Sequence, residues 1–210
     1  MVRRLRQGPR EQRPRQVQRG AQGDITRCFI ALGLEPAPGA ALAPALEDLR
    51  SRFRELTVPP PRNLHLTLAF LGEIDAAATA RAAAALAMTA TAAAKSWTVG
   101  WGNAGAFPSD ARARVLWLGL AEPELTIGIQ RLLAAELGAG NLPVDDRPFR
   151  PHLTLARLRR DLSRERAEEV RKALAAMAPP PDSKVTSLVL YRSRLGRGPA
   201  VYEELSRADL

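Results

Sequence analysis

The pentapeptide His65-Leu66-Thr67-Leu68-Ala69 recurs 87 residues later as His152-Leu153-Thr154-Leu155-Ala156. These two copies contain the only histidines in a chain of 210 residues. In a β-strand, residues i and i+2 point to the same face, so each imidazole has a threonine hydroxyl beside it while the leucines point the other way. The repeat therefore predicts two half-buried strands that present the same pair of polar groups.

The sequence around the pentapeptides repeats with the same period, although the copies have diverged. Apolar runs typical of buried strands precede the histidines, and helical patterns and further strands follow them. The matching predicted elements are the strands 27–32 and 114–119, the helices 75–95 and 161–178, and the strands 97–102 and 184–192. We predict an α+β fold of two pseudo-symmetric lobes, with mostly antiparallel sheet and outer helices. The two histidine strands are expected to face each other across a central groove.

The first 24 residues differ in composition from the rest of the chain. They hold seven arginines against Glu11 and Asp24, which accounts for +5 of the formal net charge of +9. They lack both the apolar stretch of a secretory signal and the serines of a transit peptide. We predict a disordered basic tail over residues 1–24 and one bilobal domain over residues 25–210. Such a tail either contacts nucleic-acid phosphates non-specifically or has no function, and the sequence leaves both open.

The overall composition indicates a globular protein, with 46% hydrophobic and 25% charged residues. No apolar run approaches the roughly 20 residues that a membrane-spanning helix needs, so no membrane contact is expected. The single cysteine, Cys28, lies in an apolar run and cannot form an internal disulfide, which favours a buried thiol. We therefore expect a cytoplasmic protein and, by default, a monomer.

The two histidines suit general acid–base catalysis, because an imidazole with a pKa near 6.5 can accept or donate a proton near neutral pH. Opening a cyclic phosphodiester needs both actions at once, since water must lose a proton while the departing alkoxide gains one. Threonine hydroxyls can hydrogen-bond the phosphoryl oxygens on which negative charge develops. The pattern predicts His65 and His152 as catalytic residues, and Thr67 and Thr154 as phosphate ligands.

Other chemistries have less support in the sequence. A zinc site usually takes three or four ligands, whereas this chain has two histidines and one cysteine in an apolar strand. The spacing of the acidic residues Glu73, Asp145 and Asp146 does not indicate a metal site, so we expect neither a metal nor a cofactor. The chain also lacks the Gly-x-Ser-x-Gly elbow of serine hydrolases and the phosphate loop of nucleotide triphosphatases.

The segments Pro60–Glu73 and Asp146–Arg157, which surround the two histidines, carry a family resemblance. Paired His-x-Thr motifs of this type resemble the 2H phosphoesterase superfamily. The flanking residues are similar to one branch, the RNA 2′,3′-cyclic phosphodiesterases, also called 2′-5′ RNA ligases. The resemblance runs from about Arg27 to the C-terminus and does not include the basic tail.

The resemblance implies metal-independent hydrolysis of a 2′,3′-cyclic phosphate at an RNA end, or on a cyclic nucleotide, to a 2′-phosphomonoester. His65 would protonate the leaving 3′ oxygen, and His152 would activate water. The resemblance also places Phe70 against a nucleobase and Arg157 against the phosphate. Both residues follow their histidine by five positions, an odd offset that puts them on the opposite face of an ideal strand.

Two alternative functions remain open at this point. The same site could serve mainly to form or cleave 2′-5′ linkages in RNA. The chain could also be a non-catalytic RNA-binding module that uses its basic tail and groove, although binding alone does not require two imidazoles.

Overall fold

A computed structural model describes residues 25–93, 95–109, 112–196 and 198–210, so the predicted tail over residues 1–24 lies outside the described residues. The helices are α1 (Gly39–Arg52), α2 (Ala76–Ala93), α3 (Glu124–Ala139) and α4 (Arg164–Ala175). The strands are β1 (Thr26–Glu35), β2 (Leu56–Thr57), β3 (Thr67–Ile74), β4 (Trp97–Val99), β5 (Trp101–Phe107), β6 (Val115–Leu120), β7 (His152–Leu158), β8 (Ser183–Arg194) and β9 (Val201–Asp209).

The strands form two antiparallel sheets with helices packed against them. The first sheet has the order β3-β1-β8-β4, with β9 also paired to β8, and the second has the order β2-β7-β6-β5. Helices α2 and α3 pack on the first sheet, against β8, β9 and β3, whereas α1 contacts β2 and α4 contacts β5 of the second. The predicted α+β fold is confirmed.

Buried leucines from both sheets build one hydrophobic core with the helices. On the two histidine strands the core residues are Leu66, Leu68, Leu153 and Leu155, each at most 2% exposed. Cys28 belongs to the same core, and burial raises the pKa of its thiol, as expected for a structural cysteine. None of the helices in the described ranges is long and apolar enough to cross a membrane.

The two halves of the sequence exchange strands between the sheets. The predicted single strand over residues 97–102 is in fact two strands, because the chain leaves the first sheet at Gly100. Before that point β4 pairs with β8, and after it β5 pairs with β6 in the second sheet. In return, β8 from the second half pairs with β1, and β9 pairs with β8. Each sheet is therefore completed by strands from the other half of the sequence.

A short 3₁₀ helix (Pro61–Asn63) leads into the first histidine strand. It packs against the start of α1, where Gly39 approaches so closely that a Cβ there would collide with the carbonyl oxygen of Pro61. The absence of a side chain at Gly39 thus lets α1 support the turn that precedes His65.

Candidate active site

The two histidine strands meet at an antiparallel β-bridge between Leu66 and Leu153. These leucines are equivalent residues of the two pentapeptides, so the pseudo-two-fold axis runs between them. Because both side chains are buried in the core, the neighbouring residues on each strand face the opposite side. The bridge therefore places His65 and Thr67 on the same groove as His152 and Thr154.

Both imidazoles are held by the same kind of hydrogen bond. Nδ1 of His65 lies 2.7 Å from the carbonyl oxygen of Asn63, and Nδ1 of His152 lies 2.7 Å from that of Arg150. A carbonyl oxygen only accepts, so Nδ1 carries the proton in both rings. Each Nε2 is then left to accept or donate a proton in the groove.

Aromatic rings surround the two histidines unequally. The ring of His65 packs against those of Phe29 and Tyr202, with centroid distances of 4.7 and 5.2 Å, and these two rings also contact each other. His152 meets Phe107 edge-on at 4.9 Å, and Trp117 is farther away at 6.4 Å. His152 is consequently the more open of the two imidazoles.

Burial lowers the pKa of both imidazoles below the ordinary value near 6.5, because water stabilises the charged ring better than the protein does. The hydrogen bonds to the backbone carbonyls oppose this effect, whereas the positive charge of Arg157 adds to it at both rings. The charge of His152 further lowers the pKa of His65. Arg157 and both imidazoles therefore lie within electrostatic reach of one another.

Thr67 and Thr154 are partly exposed in the groove. Within the described ranges, neither hydroxyl has a hydrogen-bond partner. Both are therefore available to a ligand that approaches the two imidazoles.

β-Bulges bring Phe70 and Arg157 to the same groove, contrary to the geometry of an ideal strand. Ala31 pairs with Thr67 but Ile30 pairs with Ala69, so the first histidine strand contains one extra residue at this point. The second strand has the same irregularity between Thr154 and Ala156. An extra residue reverses the alternation of faces. Phe70 and Arg157 therefore face the groove, although each follows its histidine by an odd number of positions.

The two residues are also exposed as a ligand contact would require. Phe70 is 59% exposed and its ring lies 6.2 Å from that of the buried Phe29. Arg157 is exposed, and no carboxylate of the described residues forms an ion pair with it.

Two arginines that precede the motifs differ in whether a carboxylate neutralises their charge. Arg147 pairs with Asp145, with Nε–oxygen distances of 2.9 and 3.1 Å, and holds the pKa of that carboxyl at about 2. Its charge is therefore largely neutralised. Arg62 is exposed and forms no ion pair with any described residue, so it adds positive potential to the groove.

The aromatic residues that surround His65 were not predicted from the sequence. Phe29 and Tyr202 lie in β1 and β9, far from the pentapeptides in sequence, and they meet only because β8 pairs with both strands. An aromatic residue in a strand predicted to pair beside the histidine strand is the signal that could have identified them.

The described residues do not bring together three or more histidine, cysteine or acidic side chains that could hold a metal ion. The arrangement instead consists of two imidazoles, two hydroxyls and an arginine around one groove. A fold of two pseudo-symmetric sheets with this set of groups defines the two-histidine class of phosphoesterases.

Comparison with known proteins identifies the family. The family model of the 2′-5′ RNA ligase superfamily matches residues 38–197. The chain belongs to this superfamily, and the predicted family resemblance is thus confirmed.

Several relatives are named RNA 2′,3′-cyclic phosphodiesterase. One from Thermus thermophilus is 33% identical over 196 residues, covering 88% of this chain and 90% of the relative. Another from Escherichia coli is 33% identical over 150 residues, covering 69% of this chain and 74% of the relative. A third from Methanothermobacter thermautotrophicus is 27% identical over 180 residues, covering 85% and 96%.

Solved structures show the same fold. The crystal structure of E. coli LigT complexed with 3′-AMP aligns with a TM-score of 0.65 at 27% identity, over 89% of this chain and 99% of that one. The crystal structure of a Thermus thermophilus protein aligns with a TM-score of 0.68 at 27% identity, over 88% and 97%.

Proposed function

We propose that the protein hydrolyses 2′,3′-cyclic phosphate ends of RNA to 2′-phosphomonoesters without a metal ion. The observation that carries this proposal is the pair of imidazoles, each with Nδ1 hydrogen-bonded to a backbone carbonyl and Nε2 free in the same groove. The names of the relatives, RNA 2′,3′-cyclic phosphodiesterase, support the choice of substrate.

In the proposed reaction, Nε2 of His152 takes a proton from water, and the water oxygen attacks phosphorus in line with the 3′ oxygen. The bond between phosphorus and the 3′ oxygen breaks, and protonated His65 gives its Nε2 proton to that oxygen. The more open position of His152 favours its contact with water. The anionic phosphodiester favours the protonated form of His65, which burial disfavours in the free protein.

Thr67, Thr154 and Arg157 bind the non-bridging phosphoryl oxygens in this proposal. Negative charge grows on these oxygens as water adds, so donors already fixed in the groove stabilise the transition state more than the substrate. Phe70 stacks on the terminal nucleobase, because an exposed aromatic ring offers a flat face to any base.

The experiment that tests this function uses the full-length protein and an RNA with a 2′,3′-cyclic end, in the presence of a chelator. We expect a 2′-phosphate product, identified by its phosphorus NMR signal. His65→Asn and His152→Asn should each abolish turnover while thermal unfolding remains cooperative, since asparagine can keep the hydrogen bond to the backbone carbonyl. A 3′-phosphate product, or activity that requires added metal, would contradict the proposal.

The order of acid and base needs a separate test. A cyclic substrate with sulfur in place of the 3′ oxygen has a leaving group that departs without protonation. It should restore turnover to the His65→Asn variant but not to His152→Asn. The opposite pattern would reverse the two roles.

The near-symmetry of the site also supports a second candidate function, the formation or cleavage of 2′-5′ linkages. When an RNA 5′ hydroxyl replaces water, the same two proton transfers open the cyclic phosphate and join the two RNAs by a 2′-5′ linkage. Run in reverse, they cleave that linkage, and the 3′ oxygen re-forms the cyclic phosphate as the 5′ oxygen leaves. Turnover of a 2′-5′-linked dinucleotide, compared with that of the cyclic phosphate, distinguishes the two. RNA binding with no turnover of either substrate would instead indicate a binding module.

We further propose that the protein acts as a cytoplasmic monomer. The candidate site is formed within one chain, since its two histidines, two threonines, Phe70 and Arg157 come from residues 65–70 and from β7. Light scattering of the purified protein, and fractionation of cells that express it, test these two points.

A further inference from the structure

A cavity of about 260 Å³ lies beside His65. Its lining includes Phe29, Arg62, His65, Tyr191, Val201 and Tyr202. The proposed reaction does not use this cavity, because the cyclic phosphate needs only the two imidazoles and their neighbouring donors.

The cavity and Phe70 lie on opposite sides of one buried ring. Phe29 is 6.2 Å from Phe70 on β3, and it stacks on Tyr191 of β8 at 5.3 Å. The ring of Tyr202 meets Phe29 edge-on at 4.9 Å. Phe70 does not line the cavity. The groove therefore offers two separate aromatic sites, one on each side of Phe29.

The walls of the cavity have the chemistry that a nucleobase needs. Tyr191 and Tyr202, both partly exposed, supply flat apolar faces, and their phenol groups can donate and accept hydrogen bonds. Burial raises the pKa of both phenols, so they keep their protons at neutral pH.

The surroundings of the cavity are positively charged. Arg62 lines it without a carboxylate partner among the described residues. Arg27 and Arg157 act electrostatically on Tyr202 and therefore also lie near it. Proteins that bind single-stranded RNA combine aromatic rings for successive bases with cations along the backbone.

We propose that this cavity holds the base of the second nucleotide, the one that precedes the cyclic end in the RNA chain. Phe70 then takes the terminal base, and Arg62 contacts the phosphate that joins the two nucleotides. The inference rests on the proposed function and adds a substrate class to it: RNA ends are preferred over cyclic mononucleotides.

The test compares two uridine substrates that end in a 2′,3′-cyclic phosphate, the mononucleotide and the dinucleotide. For the unmodified protein we expect kcat/KM to be about tenfold higher for the dinucleotide, mainly through a lower KM. Val201→Trp places a large ring in the cavity from an exposed position, and should bring the ratio close to one. Leu195→Trp is the matched control, because Leu195 is similarly exposed between β8 and β9 but does not line the cavity.

A second variant tests the charge. Arg62→Gln should lower the same ratio and reduce the slope of log affinity against log salt for the dinucleotide by about 0.7, the loss of one phosphate contact. The result for Arg62→Gln does not depend on how the tryptophan of Val201→Trp packs.

Two results would overturn the inference. One is equal kcat/KM for both substrates in the unmodified protein. The other is an equal loss for both substrates in Val201→Trp, which would place the terminal base in the cavity. Absence of turnover with either substrate would contradict the proposed function itself.

Discussion

Leu66 and Leu153, equivalent residues of the two repeated pentapeptides, pair with each other as an antiparallel β-bridge. This contact joins the two sheets at their pseudo-two-fold axis and sets the spacing of the histidines that precede each leucine. Both side chains are buried, at 1% and 0% exposure. The same two residues therefore contribute to the core and to the geometry of the groove.

Leu66→Ala and Leu153→Ala should each lower the free energy of unfolding by about 2–5 kcal/mol, the usual cost of truncating a buried leucine. Because the two residues are in contact, the double variant should depart from additivity by at least about 0.5 kcal/mol. Urea unfolding of the unmodified protein, the two single variants and the double variant measures these free energies. Additive losses would mean that the two leucine side chains do not interact across the bridge.

Arg157→Leu should raise the pKa of both histidines, because its positive charge disfavours their protonated forms. It should also raise KM about tenfold or more through the loss of a charge-assisted hydrogen bond to phosphate. Only two histidines exist in the chain, so two imidazole signals in the NMR titration report both pKa values. Arg157→Lys, which keeps the charge, is the control and should leave these pKa values nearly unchanged.

The two histidines should make the protein less stable as the pH falls from about 7 to 5. Their pKa values are lowered in the folded state, so below about pH 6.5 the unfolded chain binds protons that the folded chain does not. The free energy of unfolding then decreases until the folded imidazoles are protonated too. The carboxyls with lowered pKa, such as those of Glu55 and Asp145, act at lower pH.

The double variant His65→Asn/His152→Asn isolates this effect. Its free energy of unfolding, measured in urea between pH 7 and 5, should vary less than that of the unmodified protein. A parallel decrease in both proteins would assign the pH dependence to other groups.

Gly39→Ala should destabilise the protein by about 1–3 kcal/mol, because its Cβ would collide with the backbone of Pro61. The displaced turn also carries the Asn63 carbonyl that holds His65, so kcat should fall as well. Gly128→Ala is the matched control. Gly128 lies inside α3, where a Cβ would meet open space, and alanine there should stabilise the helix by up to about 1 kcal/mol.

Most of the fold and the central pair of the site could be predicted from local patterns. Alternation along each pentapeptide separates the buried leucines from the histidine and threonine, and the 87-residue period relates the two strands. These patterns depend on which residues a strand buries, so they can be recognised without knowing the partner strands.

Features that depend on pairing between distant strands could not be predicted. The family resemblance implied ligand contacts for Phe70 and Arg157, but alternation along an ideal strand put both on the opposite face. They reach the groove through bulges, and a bulge is defined by the register of the neighbouring strand. Tyr202 reaches His65 because β9 returns to the first sheet. The separation of β4 from β5 at Gly100 likewise follows from which sheet offers each segment a partner.

The exchange of strands between the sheets means that neither histidine belongs to an independent half-protein. A chain cut between Phe107 and Val115 would leave β5 in one fragment without β6, and β8 and β9 in the other without β1. Each fragment would carry one imidazole and an unfinished sheet that only the other fragment can complete. The two histidines are thus brought together only when each half of the sequence completes the sheet of the other.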